Sequence, residues 1–544
     1  VRYEEKITVR KEEELGAGKN MTMHNPNVLY RLYVGTAFLE GTSVLIIEIA
    51  GARALAPFYG SSLKVWTAQI TATLLFLALG YWAGGKVSRK QGNWGLPLVF
   101  LVAGFWLVLL PFIRTLVLES TSAVLGISGG SFMSAVILYG LPLLALGAVS
   151  PLLIERQDRL DAGAGRAAGT IFFTNTMGGL VGGWLTALVL IPHMSLRIVL
   201  AATGLVLIAI GTFWGVATRN DRPLVKAAAA LVILSLAGLS FSIMPRPARD
   251  IRVSGFPAKI LYTRNSSVGL IQILDIPAIQ TRSLLLDGAV QGGVTRGLSA
   301  YPFTEYQNFL AHRFHPRAQS ALLLGLGAGV LATQLIDRGL DVTVVELEPR
   351  IGEVARTYFD LPDSVRVYYE DARTYLNRTP ARFDVVFLDV FAAENTPWYM
   401  MTVEAIERIN RVLNPGGILV INTIAWVEGA SPDVVRLESA LLEVFDEARV
   451  FVSQQGEGEA GRQVTNGVLV AGSNLSPSPE PFPGKVLPFI RLKLDAMAKT
   501  MRPALATVAP PTDDFNDLDY AGADIRLALR RILIADMGAD VLGD

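Results

Sequence analysis

Polarity along the chain changes character about halfway. In the first half, long runs are almost wholly apolar, with no helical stripe or strand alternation to give them a polar face. A bilayer-spanning helix needs about 20 such residues. Seven stretches qualify: Val28–Ala56, Trp66–Gly84, Pro97–Leu118, Met133–Ile154, Gly169–Ile191, Leu196–Val216 and Pro223–Met244. From about Ile251 the runs shorten to strand length. Gly269–Asp275 and Arg282–Leu286 predict strands on either side of Pro277. A repeating strand–helix order then sets in. Ala321–Leu324 predicts a buried strand, and Val342–Val345, Arg366–Tyr369, Asp384–Leu388 and Ile418–Ile421 predict four more strands. Val403–Leu413 predicts a helix, with Asn414-Pro415-Gly416-Gly417 as the turn after it.

The fold class expected is therefore an α-helical multi-pass membrane domain joined to an α/β Rossmann-like, methyltransferase-type domain, with a small β-unit between them. The boundaries read as a polar tail over 1–27, a membrane domain over 28–244, a β-unit over 251–300 and the Rossmann-like domain over 301–544. The charged tail, with Glu12, Glu13 and Glu14 beside Arg10 and Lys11, keeps the first apolar run from reading as a cleaved signal peptide. Met21 and Met23 are alternatives to Val1 as the start of the natural product.

Composition agrees with this division. Apolar residues make up 51% of the 544 and charged residues only 18%, with a mean hydropathy of +0.41. A soluble domain runs nearer a quarter charged. There is no Cys, which excludes disulfides and thiolate metal sites. The four His (His24, His193, His312, His315) have no metal-ligand spacing. Lys+Arg and Asp+Glu balance at 48 each, so bulk charge makes no case for nucleic acid.

Lys and Arg favour the cytoplasmic side of a membrane. Lys86, Arg89 and Lys90, then Arg156, Arg159 and Arg166, then Arg219, Arg222 and Lys226 mark alternate loops, which puts the N-terminus inside. Seven spans would then put the second half outside. Arg246, Arg249, Arg252 and Lys259 favour inside, and so favour an even number of crossings. Glu40 and Glu48 fall within the first apolar run, where a carboxylate is costly. They mark either a substrate or ion path, or a protonated packing contact. Gly178-Gly179 and Gly182-Gly183 suit close helix approach.

The chemistry lies in the second half. Gly325-Leu326-Gly327-Ala328-Gly329 sits between a predicted strand and a predicted helix, and Glu346 ends the next strand. That context suits a nucleoside. Gly325, Gly327 and Gly329 allow a tight turn and close backbone approach, and Glu346 can accept bonds from both ribose hydroxyls. Asp371, beside Ala372, can reach an adenine amine. Asp389 ends a central strand at the carboxyl edge, where such folds bind ligands.

These residues resemble the spermidine synthases, the polyamine aminopropyltransferases, in their membrane-fused branch. The resemblance covers about Thr263 to Asn422, with a weaker match at Thr512-Asp513-Asp514. It rests on Leu286-Asp287-Gly288 with Gln291, Tyr306, Leu310-Ala311-His312, the glycine loop, Val345-Glu346, Asp371-Ala372, Phe383-Asp384 and Asp389. It implies decarboxylated S-adenosylmethionine as cofactor, with S-adenosylmethionine itself as the alternative, and no metal. Glu346 would hold the ribose, Asp371 and Ala372 would lie at the adenine, and Asp389 would be the base that deprotonates the attacking amine. Asp287, Gln291, Tyr306 and Glu394 would contact substrate.

Several positions depart from the family. Ala328 stands where the glycine loop carries Asp, Val390-Phe391-Ala392-Ala393 replaces an acid-bearing run, Tyr306-Gln307-Asn308 replaces Tyr-His-Glu, and Gly269 replaces a Gln. The nucleoside half of the site reads as kept and the polyamine half as remodelled. Expected partners are a small-molecule amine or polyamine, the lipid bilayer and a second copy in a homodimer. The expected place is the cell membrane, with the soluble domain in the cytosol. Two other readings stay open. One is an S-adenosylmethionine-dependent methyltransferase. The other is a transporter or sensor with a nucleoside-binding domain, to which the Gly80–Lys90 segment bears a loose likeness.

Overall fold

The computed structural model describes residues 25–60, 62–88, 95–217, 251–391, 397–429, 431–453 and 463–537. The expected tail, the seventh apolar stretch and Glu394 lie outside them. The chain divides into two compact units. The first comprises 1–54, 67–118 and 132–245; the second comprises 55–66, 119–131 and 246–544.

The first unit is helical. Six helices among the described residues are long and apolar enough to cross a membrane: α1 (Pro26–Tyr59), α2 (Leu63–Val87), α3 (Gly95–Ser122), α4 (Ile127–Leu160), α5 (Ala164–His193) and α6 (Leu196–Ala217). Large apolar side chains such as Leu74, Trp82, Leu116, Phe173, Trp184 and Leu188 point outward and are exposed. Water penalises such a surface and hydrocarbon does not.

Helix contacts are sealed by small residues. A Cβ on Gly178 would lie 2.0 Å from the Phe38 carbonyl oxygen, so the backbones of α1 and α5 touch there. Thr42 Oγ1 adds a bond to the Gly178 carbonyl at 3.0 Å. A Cβ on Gly80 of α2 would lie 2.4 Å from the Leu144 carbonyl oxygen of α4, and one on Gly104 of α3 would lie 2.5 Å from the Gly204 carbonyl oxygen of α6. Close backbone packing of this kind is what holds helices together where lipid surrounds them and no hydrophobic drive acts between them.

The second unit contains two sheets. Strands β1 (Ile251–Val253), β2 (Phe256–Asn265), β3 (Leu270–Ile276), β4 (Thr281–Leu286), β5 (Ala289–Thr295) and β6 (Leu298–Ser299) form an antiparallel meander in chain order. The larger sheet contains β7 (Ser320–Leu324), β8 (Asp341–Glu346), β9 (Arg366–Tyr369), β10 (Phe383–Leu388), β11 (Leu413–Trp426), β12 (Glu447–Val452), β13 (Val464–Gly472) and β14 (Arg502–Pro503). Their spatial order is β14-β12-β13-β11-β10-β7-β8-β9. From β11 to β9 the pairing is parallel; β13 joins β11 antiparallel.

Period-2 alternation fills both faces of the parallel part. Leu323, Phe387 and Val420 enter one core layer, and Leu322, Leu324, Val386, Leu388, Leu419 and Ile421 the other. The helices over these faces are α7 (Pro302–Phe314), α8 (Val330–Asp337), α9 (Pro349–Phe359), α10 (Ala372–Arg378), α11 (Val403–Arg411), α12 (Pro432–Val444), α13 (Pro488–Ala498) and α14 (Ala523–Met537). One expectation is corrected. Residues 414–417 form no free turn: β11 starts at Leu413 and the four residues bulge out of register, so that Phe383 pairs with Leu413 and Val385 with Ile418.

Close approach at Gly178 makes a specific prediction. Gly178→Ala should destabilise the helical unit by about 1–3 kcal/mol through overpacking. Gly183→Ala, where the nearest atom is Ile49 Cδ1 at 3.7 Å, should be tolerated. Thermal denaturation of the two variants in detergent, with wild type alongside, checks the contrast.

Candidate active site

The site lies at the carboxyl edge of the parallel strands. Beyond the strand ends the backbone bonding continues: Gly325 N–H donates to Val345 O at 2.9 Å, Asp389 N–H to Leu324 O at 2.9 Å and Glu370 N–H to Glu346 O at 3.0 Å. Four neighbouring strand ends are thereby held level. A cavity of about 530 Å³ opens over them, and the residues lining it belong to the second unit.

The loop after β7 requires its glycines. Gly325 has φ +100°, and a Cβ there would lie 2.2 Å from the Asp389 carbonyl oxygen. Gly327 has φ +53°, and its Cβ would lie 2.6 Å from the Gln291 carbonyl oxygen. Both positions exclude larger residues on conformation and on space. The loop thus sits tight between β10 and the meander.

Glu346 faces this loop. Its Oε2 accepts from Leu326 N–H at 3.1 Å and its Oε1 from Glu348 N–H at 2.9 Å. Burial pushes its carboxyl above the usual range, against the pull of those backbone donors. A carboxylate oxygen has capacity for two bonds, so each still has room for a ligand hydroxyl. Asp371 caps α10, its Oδ1 accepting from Thr374 N–H at 2.9 Å. Its Oδ2 accepts from Tyr399 O–H at 3.0 Å. Burial and the neighbouring Asp371 carboxylate push the Tyr399 phenol up to about 12.

Asp389 is held by two amides. Gln307 Nε2 on α7 donates to its Oδ2 at 2.8 Å, and Asn422 Nδ2 on β11 to its Oδ1 at 2.9 Å. Burial raises its pKa, and these two donors oppose the rise. Neither donor carries charge, so the carboxylate is oriented without being neutralised. An oriented, half-desolvated carboxylate beside a cavity is equipped to accept a proton.

Of the residues expected from the sequence, Gln291, Tyr306, Gly325, Gly327, Glu346, Asp371, Ala372 and Asp389 line this cavity together. Gly329 lies just outside as the N-cap residue of α8, with φ +76°. Asp287 does not line the cavity. It is buried at a turn with φ +47°, where its Oδ1 accepts from Leu270 N–H at 2.8 Å and its carbonyl accepts from Arg530. That geometry makes it a turn residue. Ala328 lines the cavity with a methyl where the resembling family has a carboxylate.

Sequence reasoning missed several contributors. Gln307 was noted only as a departure from the family pattern, and Asn422 only as the end of the resemblance; their pairing with Asp389 spans 82 and 33 residues. Tyr301 and Phe303 line the cavity at the start of α7, and Leu529, Ile532 and Leu533 line it from α14. The last three recur at helical spacing, a signal present in the sequence but indistinguishable there from an ordinary core face. Among the described residues, no group of three or more His, Cys, Asp or Glu is placed to hold a metal.

A family model described as a methyltransferase domain matches residues 321–417. Among curated proteins, the chain is similar to an N-terminal histidine N-methyltransferase of Emericella nidulans, 26% identical over 408 aligned positions, covering 68% of this chain and 69% of that protein. It is similar to a probable polyamine aminopropyl transferase of Bifidobacterium longum, 32% identical, covering 24% of this chain and 29% of that protein. A polyamine aminopropyltransferase of Mycobacterium tuberculosis is 30% identical, with 51% of this chain and 56% of that protein covered. The chain thus spans between about a third and about half of these two aminopropyltransferases. A crystal structure of a probable spermidine synthase from Corynebacterium glutamicum superposes with a TM-score of 0.37 at 20% identity, covering 47% of this chain and 96% of that one. The chain is thus similar to polyamine aminopropyltransferases over part of its length, and its residues 321–417 match a methyltransferase-type domain.

Proposed function

We propose that this chain is an integral-membrane aminopropyltransferase-like enzyme that moves an aminopropyl group from decarboxylated S-adenosylmethionine to an amine. The observation that carries the reading is Asp389, fixed by Gln307 and Asn422 at the floor of a cavity that Glu346 and Asp371 also line.

The donor set fits an adenosyl sulfonium. Glu346 has acceptor capacity left for ribose hydroxyls, Asp371 with Ala372 suits the adenine end, and the glycine loop brings backbone close to the ligand. Such a group, when bound, supplies an electrophilic carbon next to its sulfur. The chain's own part is to bind, orient and take a proton. A protonated amine has no free lone pair, so the acceptor must lose a proton before it attacks. Asp389 takes that proton on a carboxylate oxygen. Its two amide donors fix the carboxylate plane, and the apolar side chains around it keep water out.

A second reading is methyl transfer from S-adenosylmethionine, supported by the similarity to the E. nidulans methyltransferase over 68% of this chain. Ala328 also removes a carboxylate that would oppose the carboxylate of S-adenosylmethionine. Incubating the protein with each sulfonium and an amine mixture, then weighing the products, separates the two. An aminopropyl increment supports the first reading and a methyl increment the second. Nucleoside binding without product would refute both.

We also place the soluble unit in the cytosol. Arg252 and Lys259, with Arg246 and Arg249 before them, carry the charge that favours that side. A charged sulfonium made in the cytosol would not cross hydrocarbon unaided. Protease added to intact spheroplasts should leave the region after Ile251 uncut, and should cut it once the membrane is opened. Cleavage in intact spheroplasts would refute the assignment.

Two substitutions should separate binding from chemistry. Asp389→Asn should lower turnover by about 10²–10⁴-fold with nucleoside affinity little changed. Glu346→Ala should instead weaken nucleoside binding by about 1–3 kcal/mol in calorimetry. The Asp389 base acts only when unprotonated, and burial raises its pKa. The acid limb of the wild-type pH profile should therefore lie above the ordinary carboxylate range, and Asp389→Asn should abolish it.

A further inference from the structure

The chemistry above uses none of the polar side chains buried in the helical unit. Glu40 on α1 is fully buried. Its Oε2 accepts from Asn175 Nδ2 on α5 and, at 3.4 Å, from Ser150 Oγ on α4. Asn175 Nδ2 also reaches Ser150 Oγ at 3.3 Å, closing a three-membered polar cluster. Glu40 Oε1 has no hydrogen-bond partner among the described residues. Facing it, α4 and α5 supply only these neutral groups, and α2 supplies the phenol of Tyr81; no described Lys, Arg or His acts on it.

Glu40 is not isolated. Gln69 and Thr73 on α2, and Tyr139 and Gln157 on α4, are all buried and have side-chain polar atoms with no partner among the described residues. Gln69 and Tyr139 meet at Gly51, where a Cβ would lie 2.9 Å from Gln69 Nε2 and 3.2 Å from the Tyr139 ring. Gly51 is three turns along α1 from Glu40, about 16 Å at 1.5 Å per residue. Gln157 is two turns beyond Ser150 on α4. The polar groups are thus spread over several levels of the helical unit rather than gathered at one end.

Native interiors pair nearly all their buried polar atoms, and unpaired ones usually mark water or an ion. Several in one apolar unit, around one carboxylate, call for a common explanation. A carboxylate in hydrocarbon is stable only with a positive occupant. We propose that Glu40 is the binding residue of a small monovalent cation, the proton or sodium, on a hydrated polar track through the helical unit. One carboxylate with neutral oxygens around it suits a single positive charge; divalent ions take more carboxylates. Bulky organic cations are excluded by the packing, since a Cβ on Gly41 would lie 2.0 Å from the Asn175 carbonyl oxygen. The helical unit on this reading is an ion-binding module as well as an anchor, and the proposal is independent of the group that the soluble unit transfers.

A hydrophobic carbodiimide tests it, because such reagents modify carboxyl groups in their protonated form. The full chain in detergent is treated across a range of pH, with and without sodium, and the adduct is located by peptide mass. An adduct on Glu40 that grows as pH falls is expected. Suppression by sodium but not by choline at fixed pH assigns sodium as occupant; pH dependence with no sodium effect assigns the proton. No adduct at any pH, or an adduct indifferent to both pH and sodium, would overturn the proposal and leave Glu40 a packing contact. Glu40→Gln should lose the adduct and keep wild-type nucleoside affinity. If that variant does not fold, the wild-type protection pattern still decides.

Discussion

The parallel pairing of β7 between β8 and β10 is the constraint on which the candidate site depends. Those three strands end level, and the bonds from Gly325 to Val345 and from Asp389 to Leu324 carry the ladder one residue past the regular sheet. Backbone bonds are close to obligatory for buried amides. Once they form, the glycine loop, Glu346 and Asp389 have little freedom in their relative positions. The loop must then pass within 2.2 Å, Cβ to oxygen, of the Asp389 carbonyl, which only a glycine at 325 permits. Geometry that serves a ligand follows from geometry that satisfies the sheet.

This explains which parts were legible in the sequence. Strands β7, β8 and β10 are short apolar runs punctuated by glycine or acid, and local pattern places them because each is largely buried on both faces, whereas the edge strand β9 is mostly exposed. The groups at their ends are equally local: a strand end is one residue from its strand. Long-range partnerships are different. Nothing near Gln307 in the chain says that it will donate to a carboxylate 82 residues away. The antiparallel strands β12 and β13 lie beyond Asn422, where the resemblance that frames the earlier strands ends. Asp287 is a different case: the motif that carries it also forms a tight turn, with φ +47° and a bond from Leu270 N–H.

The environment of Asp389 bears on how a carboxylate can be poised to accept a proton. A carboxylate paired with Lys or Arg would be well stabilised as an anion and correspondingly weak as a base. Amide donors hold it more gently. Burial then pulls the other way and strengthens its basicity, the direction general-base chemistry needs. The same logic applies across the cavity. Ala328 and the aromatic Tyr301 and Phe303 contribute no charge to the described walls. Deprotonating an amine is easier when few anions stabilise its cationic form. A site with fewer carboxylates thus favours attack by a neutral amine over tight binding of a multiply charged one.

The helical unit solves an analogous problem with different means. Its helices are held by glycine contacts that bring backbones together, as at Gly178 against Phe38 and Gly104 against Gly204. Where backbones touch, side chains cannot intervene, and polar groups left inside must find neighbours nearby or water. Glu40 satisfies one oxygen through Asn175 and Ser150 and leaves the other open. A residue needed only for packing would be replaced at no cost by an apolar one of similar size, since a buried carboxylate is expensive wherever it sits. Its cost is physically sensible where the open oxygen has an occupant. In both units, then, the informative group is a carboxylate held by neutral donors, oriented but not neutralised.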